Sequence, residues 1–347
     1  MYCSYTSYLK ILICTVLFLF SITSCSLMHD SLEDCPNGVW LKLEVTMDVE
    51  YGGKYSPQSF ADDLDNITIW VFDEVNGIYI DKHTEKGEVL KKNDNTMNLP
   101  IEAGKYKMVV WTGTEDVNYE VSNMLSGVST IDDLKVRVVR DLSGRQGNKL
   151  SPLWHGRIEN AEVKKSEYTH LSIELTKNTN TLITILQVSG RQLDSDDYSF
   201  EIVSENGYMD YDNKLLPDVP IYYDAYQIDT AMVSSRSMMR AANDDDVLSV
   251  VRAELNTLRL MARDNTRFIV TEKSTGLSIL NINLTEYLLL TREDYLGSDR
   301  RPLSAQAYLD YEDMFRIIFF LTSNGNSYVL TELNINGWIF RFNEGVL

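Results

Sequence analysis

The residues whose types and spacing could do chemistry stand at the start of the chain. Ile22-Thr23-Ser24-Cys25 sets an aliphatic residue and two small residues directly before a thiol. That is the pattern of a bacterial lipobox, in which the cysteine is acylated and the signal ahead of it is then removed. The preceding residues suit it: Lys10 is the only side-chain charge in the first 28 residues, and the apolar run 11–20 follows it. Such a run falls short of the ~20 apolar residues a spanning helix needs, so it reads as a secretory signal. Cys25 is therefore the candidate lipidation site, with residues 1–24 as a lipoprotein signal peptide and 25–37 as a lipidated tether. Each buried methylene adds about 0.8 kcal/mol, so several acyl chains on one cysteine hold a protein firmly to a bilayer. An ordinary signal peptide, or a membrane anchor, with a chance cysteine is the alternative reading.

Elsewhere the catalytic inventory is thin. The four histidines, His29, His83, His155 and His170, show no metal-ligand spacing, so no metal site is expected. No phosphate-cradling glycine loop or nucleophile elbow occurs, so the sequence singles out no catalytic residue and no cofactor. The pairs Asp62-Asp63, Asp132-Asp133 and Asp196-Asp197 and the acidic run 244–246 have oxygen ligands of the kind calcium takes, but read as solvated loop charge. Nothing selects a carboxylate pair for glycoside hydrolysis. The 20 Tyr and 5 Trp invite sugar stacking, yet Trp40, Trp70, Trp111 and Trp338 sit inside strand patterns and read as core. Cys3 and Cys14 leave with the signal and Cys25 carries lipid, which leaves Cys35 alone and no intrachain disulfide expected.

The elements around these residues are strands. Removing 24 of the 347 residues leaves 323, more than one compact core usually holds, so two domains are expected. Loss of Lys10 takes the formal net charge from −19 to −20, which argues against nucleic-acid or anionic-lipid partners. Residues 39–49 alternate apolar and polar, with Val39, Leu41, Leu43, Val45, Met47 and Val49 on one face of a first strand. Asp65-Asn66-Ile67-Thr68-Ile69-Trp70-Val71-Phe72-Asp73 is a second strand, and Asn76-Gly77 signals a hairpin after it. Gly104 is read as supplying a turn into the strand at 107–111, with Tyr106 folding back over the core. Residues 122–140 are mixed, with a short helical piece, and 141–149 read as loop. Strands follow at 169–175, 181–188 and 198–203, the last continuing at Asn206-Gly207 as a hairpin. Residues 234–246 read as an exposed loop. Strand patterns resume at 250–261, 267–270 and 277–284, with helical turns at 286–290 and 308–313. Three strands close the chain at 315–321, 328–335 and 338–342, the last two joined by Asn336-Gly337. Many short strands separated by turn signals favour two β-sandwiches, at 38–176 and 177–347.

The lipobox, Cys35-Pro36, the strand ending Trp70-Val71-Phe72-Asp73, Leu99-Pro100-Ile101-Glu102-Ala103-Gly104-Lys105-Tyr106, Leu153-Trp154-His155-Gly156 and Leu175-Thr176-Lys177-Asn178-Thr179-Asn180 together resemble the FimB-type family of fimbrial anchor lipoproteins of Bacteroidia. The motifs lie in the N-terminal half, and the likeness in overall plan spans nearly the whole mature chain. The resemblance implies an all-β fold of two tandem transthyretin-like β-sandwich domains after a lipoprotein signal peptide. It also implies attachment to the outer membrane through lipid on Cys25, and a role at the base of a fimbrium, anchoring the fibre and limiting its length. Partners would be fimbrial stalk or accessory subunits. In such fibres, as the family is understood, a protease removes the first strand of stalk and tip subunits and a strand of the next subunit fills the groove.

The residues bear on that scheme. No Arg occurs before Arg137 and no Lys between Cys25 and Lys42, so an Arg-specific protease has no site at which to release the first strand. A subunit that keeps this strand has no open groove, which suits the member that ends the fibre at the membrane. The segment 328–342 either donates a strand to a neighbour or forms the last strands of its own sheet. The competing class is a surface lipoprotein that binds glycan or another ligand through β-sandwich loops, and a third is a secreted hydrolase.

Overall fold

The structure is a computed structural model that describes residues 38–45, 64–165, 168–234, 247–297, 299–324 and 327–342. The expected signal peptide and tether, with Cys25 and Cys35, and Met47, Val49, Asp62, Asp63 and the run 244–246 lie outside the described residues. The first half contains β1 (Gly38–Val45), β2 (Asn66–Asp73), β3 (Tyr79–Lys86), β4 (Thr96–Leu99), β5 (Gly104–Thr112), β6 (Tyr119–Val121), β7 (Lys135–Val138), β8 (Arg145–Gln146), β9 (Trp154–Val163) and β10 (Tyr168–Lys177). A short helix, α1 (Gly87–Lys92), precedes β4. The second half contains β11 (Asn180–Ser189), β12 (Tyr198–Ser204), β13 (Tyr208–Asp210), β14 (Ile221–Asp224), β15 (Gln227–Ser234), β16 (Val247–Thr257), β17 (Arg267–Glu272), β18 (Leu277–Asn283), α2 (Leu284–Leu288), α3 (Ala305–Tyr311), β19 (Met314–Asn324), β20 (Ser327–Ile335) and β21 (Trp338–Arg341). The chain is all-β, as its alternating patterns lead one to expect.

The first half forms a sheet in the order β3-β2-β5-β9-β10-β1-β4. β10 pairs with β1 along Tyr168–Leu175 and with β9 only through Thr176 and Lys177, so it is the corner about which the sheet bends. Val39, Leu41, Ile69, Val71, Met108, Val110, Trp154 and Ile173 fill the interior. Gly104 has a reason other than turn geometry. It lies outside the left-handed region, but a Cβ there would meet the Tyr106 hydroxyl at 2.8 Å. That ring folds back as expected, donating from Oη to the Glu102 carbonyl at 3.0 Å.

β2 and the Met108–Thr112 part of β5 are buried on both faces, which is why Ile67 to Phe72 reads as an almost unbroken apolar run. Ile69, Val71, Met108 and Val110 point into the first core, whereas Trp70, Phe72, Val109 and Trp111 join a second, larger one. Their cover comes from the excursion between β5 and β9, through Leu134, Val136, Val138, Leu150 and Leu153. The excursion also crosses to the second half: β7 pairs with β13, and β8 runs parallel to β14. The expected loop at 141–149 thus contains a short strand.

In the second half a six-stranded sheet, β15-β16-β11-β19-β20-β21, packs on a five-stranded one, β18-β17-β12-β14-β8. Phe268 of β17 stacks on Phe319 of β19 between them, ring centroids 5.3 Å apart. The expected hairpin at Asn206-Gly207 does not form, because β12 pairs with β14 and β17 while β13 turns away to β7. Asn206 is instead buried, its amide donating to Thr257 Oγ1 and the Leu258 and Arg259 carbonyls while Tyr223 Oη donates to it. A buried amide with all these partners ties three segments together.

The glycine of Leu153-Trp154-His155-Gly156 sits where β9 faces β10. A Cβ there would meet the Glu174 carbonyl at 2.6 Å and Leu175 Cδ2 at 2.6 Å. Gly156→Ala is expected to lower unfolding free energy by about 1–3 kcal/mol, the usual cost of overpacking, read as a lower urea midpoint at unchanged m-value.

Candidate functional site

Two elements carry the features singled out in the sequence: the first strand, which follows the candidate lipidation site, and the hairpin at the end of the described residues. β1 lies inside its sheet. It runs parallel to β10 through eight registered pairs, Gly38 to Tyr168 up to Val45 to Leu175, and antiparallel to β4 through four. Val39, Leu41 and Leu43 are buried and the intervening Trp40, Lys42 and Glu44 turn outward, the alternation read from sequence. Trp40 packs on Tyr168 at 5.6 Å. Asp94 and Asn95, both left-handed, form a turn whose Asn95 carbonyl accepts from Leu43 N at 3.0 Å, while Asp94 pairs with Lys42. Both ends of the strand are thereby held.

At the other end of the chain, Asn336 (φ 51°) and Gly337 (φ 96°) make the tight turn that their types demand. β20 lies between β19 and β21 and buries Leu330, Leu333 and Ile335, so it is an integral strand of the six-stranded sheet. β21 is the edge. Trp338, 48 % exposed, and Ile339, 55 % exposed, stand on it, contrary to the core reading of Trp338. Trp70 and Trp111 are core, as expected, and Trp40 is half-buried.

Between the halves lies a polar junction. His155 Nε2 donates to the Tyr211 carbonyl at 2.8 Å, since a carbonyl can only accept, and its ring sits on Trp111 with centroids 4.5 Å apart. Arg157 pairs with Asp212. Lys177 pairs with Asp313 at 2.7 Å beneath the Trp154 ring, and Asn178 N donates to the Leu153 carbonyl at 2.7 Å. Burial pushes the His155 imidazole down from 6.5 to about 4, against the raising effect of the Tyr211 carbonyl.

The remaining chemistry-bearing residues do not converge. His83 lies on β3 with Asp81 at 3.8 Å, and His170 is exposed on β10. Asp133 caps a turn of 3₁₀ helix that begins after Thr130, and Asp196-Asp197 lie in another, capped by Asp194. Among the described residues no three His, Cys, Asp or Glu side chains approach closely enough to hold a metal ion. A cleft of about 530 Å³ beside β12 is lined by Ser204, Asp218, Arg263, Asp264 and Arg267 among others, and none of its lining residues is aromatic.

The described residues thus form a β-sandwich chain whose first described strand lies inside a sheet and whose β21 is an apolar strand at a sheet edge. A family model described as fimbrillin-A associated anchor proteins Mfa1 and Mfa2 matches residues 32–344, and the chain belongs to that family. Its role is therefore associated with fimbriae, and the family is structural rather than enzymatic. Among solved structures, a candidate adhesin of Bacteroides thetaiotaomicron is 28 % identical with a TM-score of 0.74, over 90 % of this chain and 100 % of the other. A candidate polysaccharide-binding protein of the same organism is also 28 % identical with a TM-score of 0.70, over 88 % and 98 %. The fimbrial anchor protein Mfa2 of Porphyromonas gingivalis shares the fold at 20 % identity and a TM-score of 0.63, over 88 % and 99 %. No curated protein matches the chain.

His155 makes the junction sensitive to acid. Its folded value lies below the unfolded one, so unfolding takes up a proton between about pH 4 and 6.5, and the stability present above 6.5 is lost as pH falls through that window. Between pH 7 and pH 5 the loss is expected to be about 2 kcal/mol, measured by urea denaturation. His155→Gln should abolish most of that pH dependence.

Proposed function

We propose that this chain is an outer-membrane lipoprotein, acylated at Cys25, that anchors the base of a fimbrium at the cell surface and ends the fibre there. The observation that carries this reading is the position of β1. It begins 13 residues after Cys25, is hydrogen-bonded on both edges and buries Val39, Leu41 and Leu43. A subunit with its own first strand in place offers no groove to a further one, which is how a terminal member would limit length. The absence of Arg before Arg137 supports retention of that strand. Membership of the anchor family supports fimbrial stalk or accessory subunits as partners. We read the chain as having no catalytic role and two sandwich domains divided near residue 177, interlocked by β7 and β8.

Contact with the fibre by strand pairing is assigned to β21. Its outer edge is unpaired among the described residues, and a partner strand could add there through main-chain hydrogen bonds, with Trp338 and Ile339 giving side-chain selectivity. Donation of β20 would instead open the core over Leu330, Leu333 and Ile335.

In cells carrying Cys25→Ala, fibre antigen is expected to move from washed cells to the medium. Fibres retained at normal length, with the variant protein soluble, would remove the anchor reading. The double substitution Trp338→Ala with Ile339→Ala is expected to reduce capture of purified fimbrial subunits at least tenfold, as loss of two interface anchors does, with little change in melting temperature. Undiminished capture would exclude β21 as the contact.

A further inference from the structure

We infer that the parallel ladder between β1 and β10 is a force-bearing clamp, which loads in shear when the chain is pulled between its N-terminus and its second half. The inference rests on the anchor reading only for the source of the load. The geometry comes from strand directions. Because β1 and β10 are parallel, Gly38 lies beside Tyr168 and Val45 beside Leu175. The chain enters at the Gly38 end of β1 and leaves for the second half from the opposite end of the ladder, beyond Lys177. Tension between those points acts along the strands. All eight registered pairs then share the load, and β1 can move only if they break together with the four to β4. Were β10 antiparallel, its exit would lie beside Gly38, and the same tension would part the pairs one at a time from that end.

The exit from the ladder is also fixed. Asn178 and Thr179, the whole link between β10 and β11, are buried. Asn178 N donates to the Leu153 carbonyl, and Leu153 N donates to Thr179 Oγ1 at 3.2 Å. Lys177 is ion-paired to Asp313, whose carbonyl accepts from Thr181 N at 2.8 Å. Load therefore passes to β11 without a slack segment. There the arrangement recurs: β11 is parallel to β19 through nine registered pairs, Thr181 to Met314 up to Ser189 to Thr322. β20 runs back and β21 forward again. A pull from the start of β11 against the end of β21 thus also acts lengthwise on its ladders. The two parallel pairs stand in series, each joining the strand that receives load to the strand that passes it on.

The test is single-molecule force spectroscopy on the mature chain from residue 26, with Cys35→Ser, an N-terminal covalent tag and a second handle at one introduced cysteine. Glu174→Cys sets that handle beside Glu44, at the far end of the ladder, and His170→Cys sets it beside Trp40, near the end at which β1 begins. Both positions are exposed. Pulling on Glu174→Cys shears the ladder, whereas pulling on His170→Cys opens it from its start. Forced unfolding is governed by the unfolding rate in the loaded direction, so rupture force at one pulling speed is expected to be at least about twofold higher for Glu174→Cys. Equal forces, or the reverse order, would overturn the inference. Melting temperatures matching the Cys35→Ser parent establish that each variant folds, and Ser172→Cys, exposed midway, replaces either one that does not. Neither membrane nor fibre enters this measurement, so its outcome is independent of whether Cys25→Ala releases fibres.

Discussion

A strand bonded on both edges and buried on one face is costly to remove from its sheet, and that constraint on β1 underlies the first half of the molecule. Withdrawal would uncover Val39, Leu41 and Leu43 and strip partners from the facing edges of both β10 and β4. Unpaired main-chain groups in an apolar interior are costly, and an opened sheet edge is a template for foreign strands. β1 therefore keeps β10 and β4 joined in one sheet. β21 is the opposite case. Among the described residues it borders one neighbour, and it exposes two large apolar side chains.

The two halves are joined more closely than a linker between modules would join them. Trp70 and Trp111 leave the outer face of the first sheet apolar, and the 113–153 excursion that covers them also extends the sheets of the second half. His155 and Lys177 supply specific contacts between the halves, to the Tyr211 carbonyl and to Asp313. Each is a polar group with little exposure whose partner sits on a different segment, so each fixes relative position as well as contributing energy. The link of Asn178 and Thr179 is short and buried, and this converts two sheets into one mechanical train.

The scarce basic residues serve the same purpose. Arg145 on β8 makes a bidentate pair with Asp224 on β14 and reaches Glu201 on β12, a row across three strands. Arg140 pairs with Asp218 across the halves, and Arg259 with Asp310 within the second. With these cations committed to internal pairs, the surplus of carboxylates is left to the surface. A net charge of −19 then favours solubility and disfavours polyanion partners.

The sequence alone determined what local chemistry determines. The lipobox pattern, the alternation in β1, the strand pattern of β2 and the turns at Asn76-Gly77 and Asn336-Gly337 depend on residues close in the chain. The periods of 2 and the backbone freedom of Asn and Gly express themselves within a few residues. Fibre-anchor membership was legible in the same way, from short motifs in a fixed order. Tertiary structure decided the rest. Asn206-Gly207 carries a hairpin signal as good as the others, yet the pairing of β7 with β13 overrides it and turns Asn206 into a buried tie. Gly104 and Gly156 are required by an aromatic ring and by a facing strand, neither visible as local turn chemistry. Trp338 shares the strand pattern of Trp70, but one strand is an edge and the other lies between two cores. Parallel pairing of β1 with β10, on which the direction of load depends, joins residues more than a hundred positions apart. No local propensity encodes such a register, and only the packed sheet sets it.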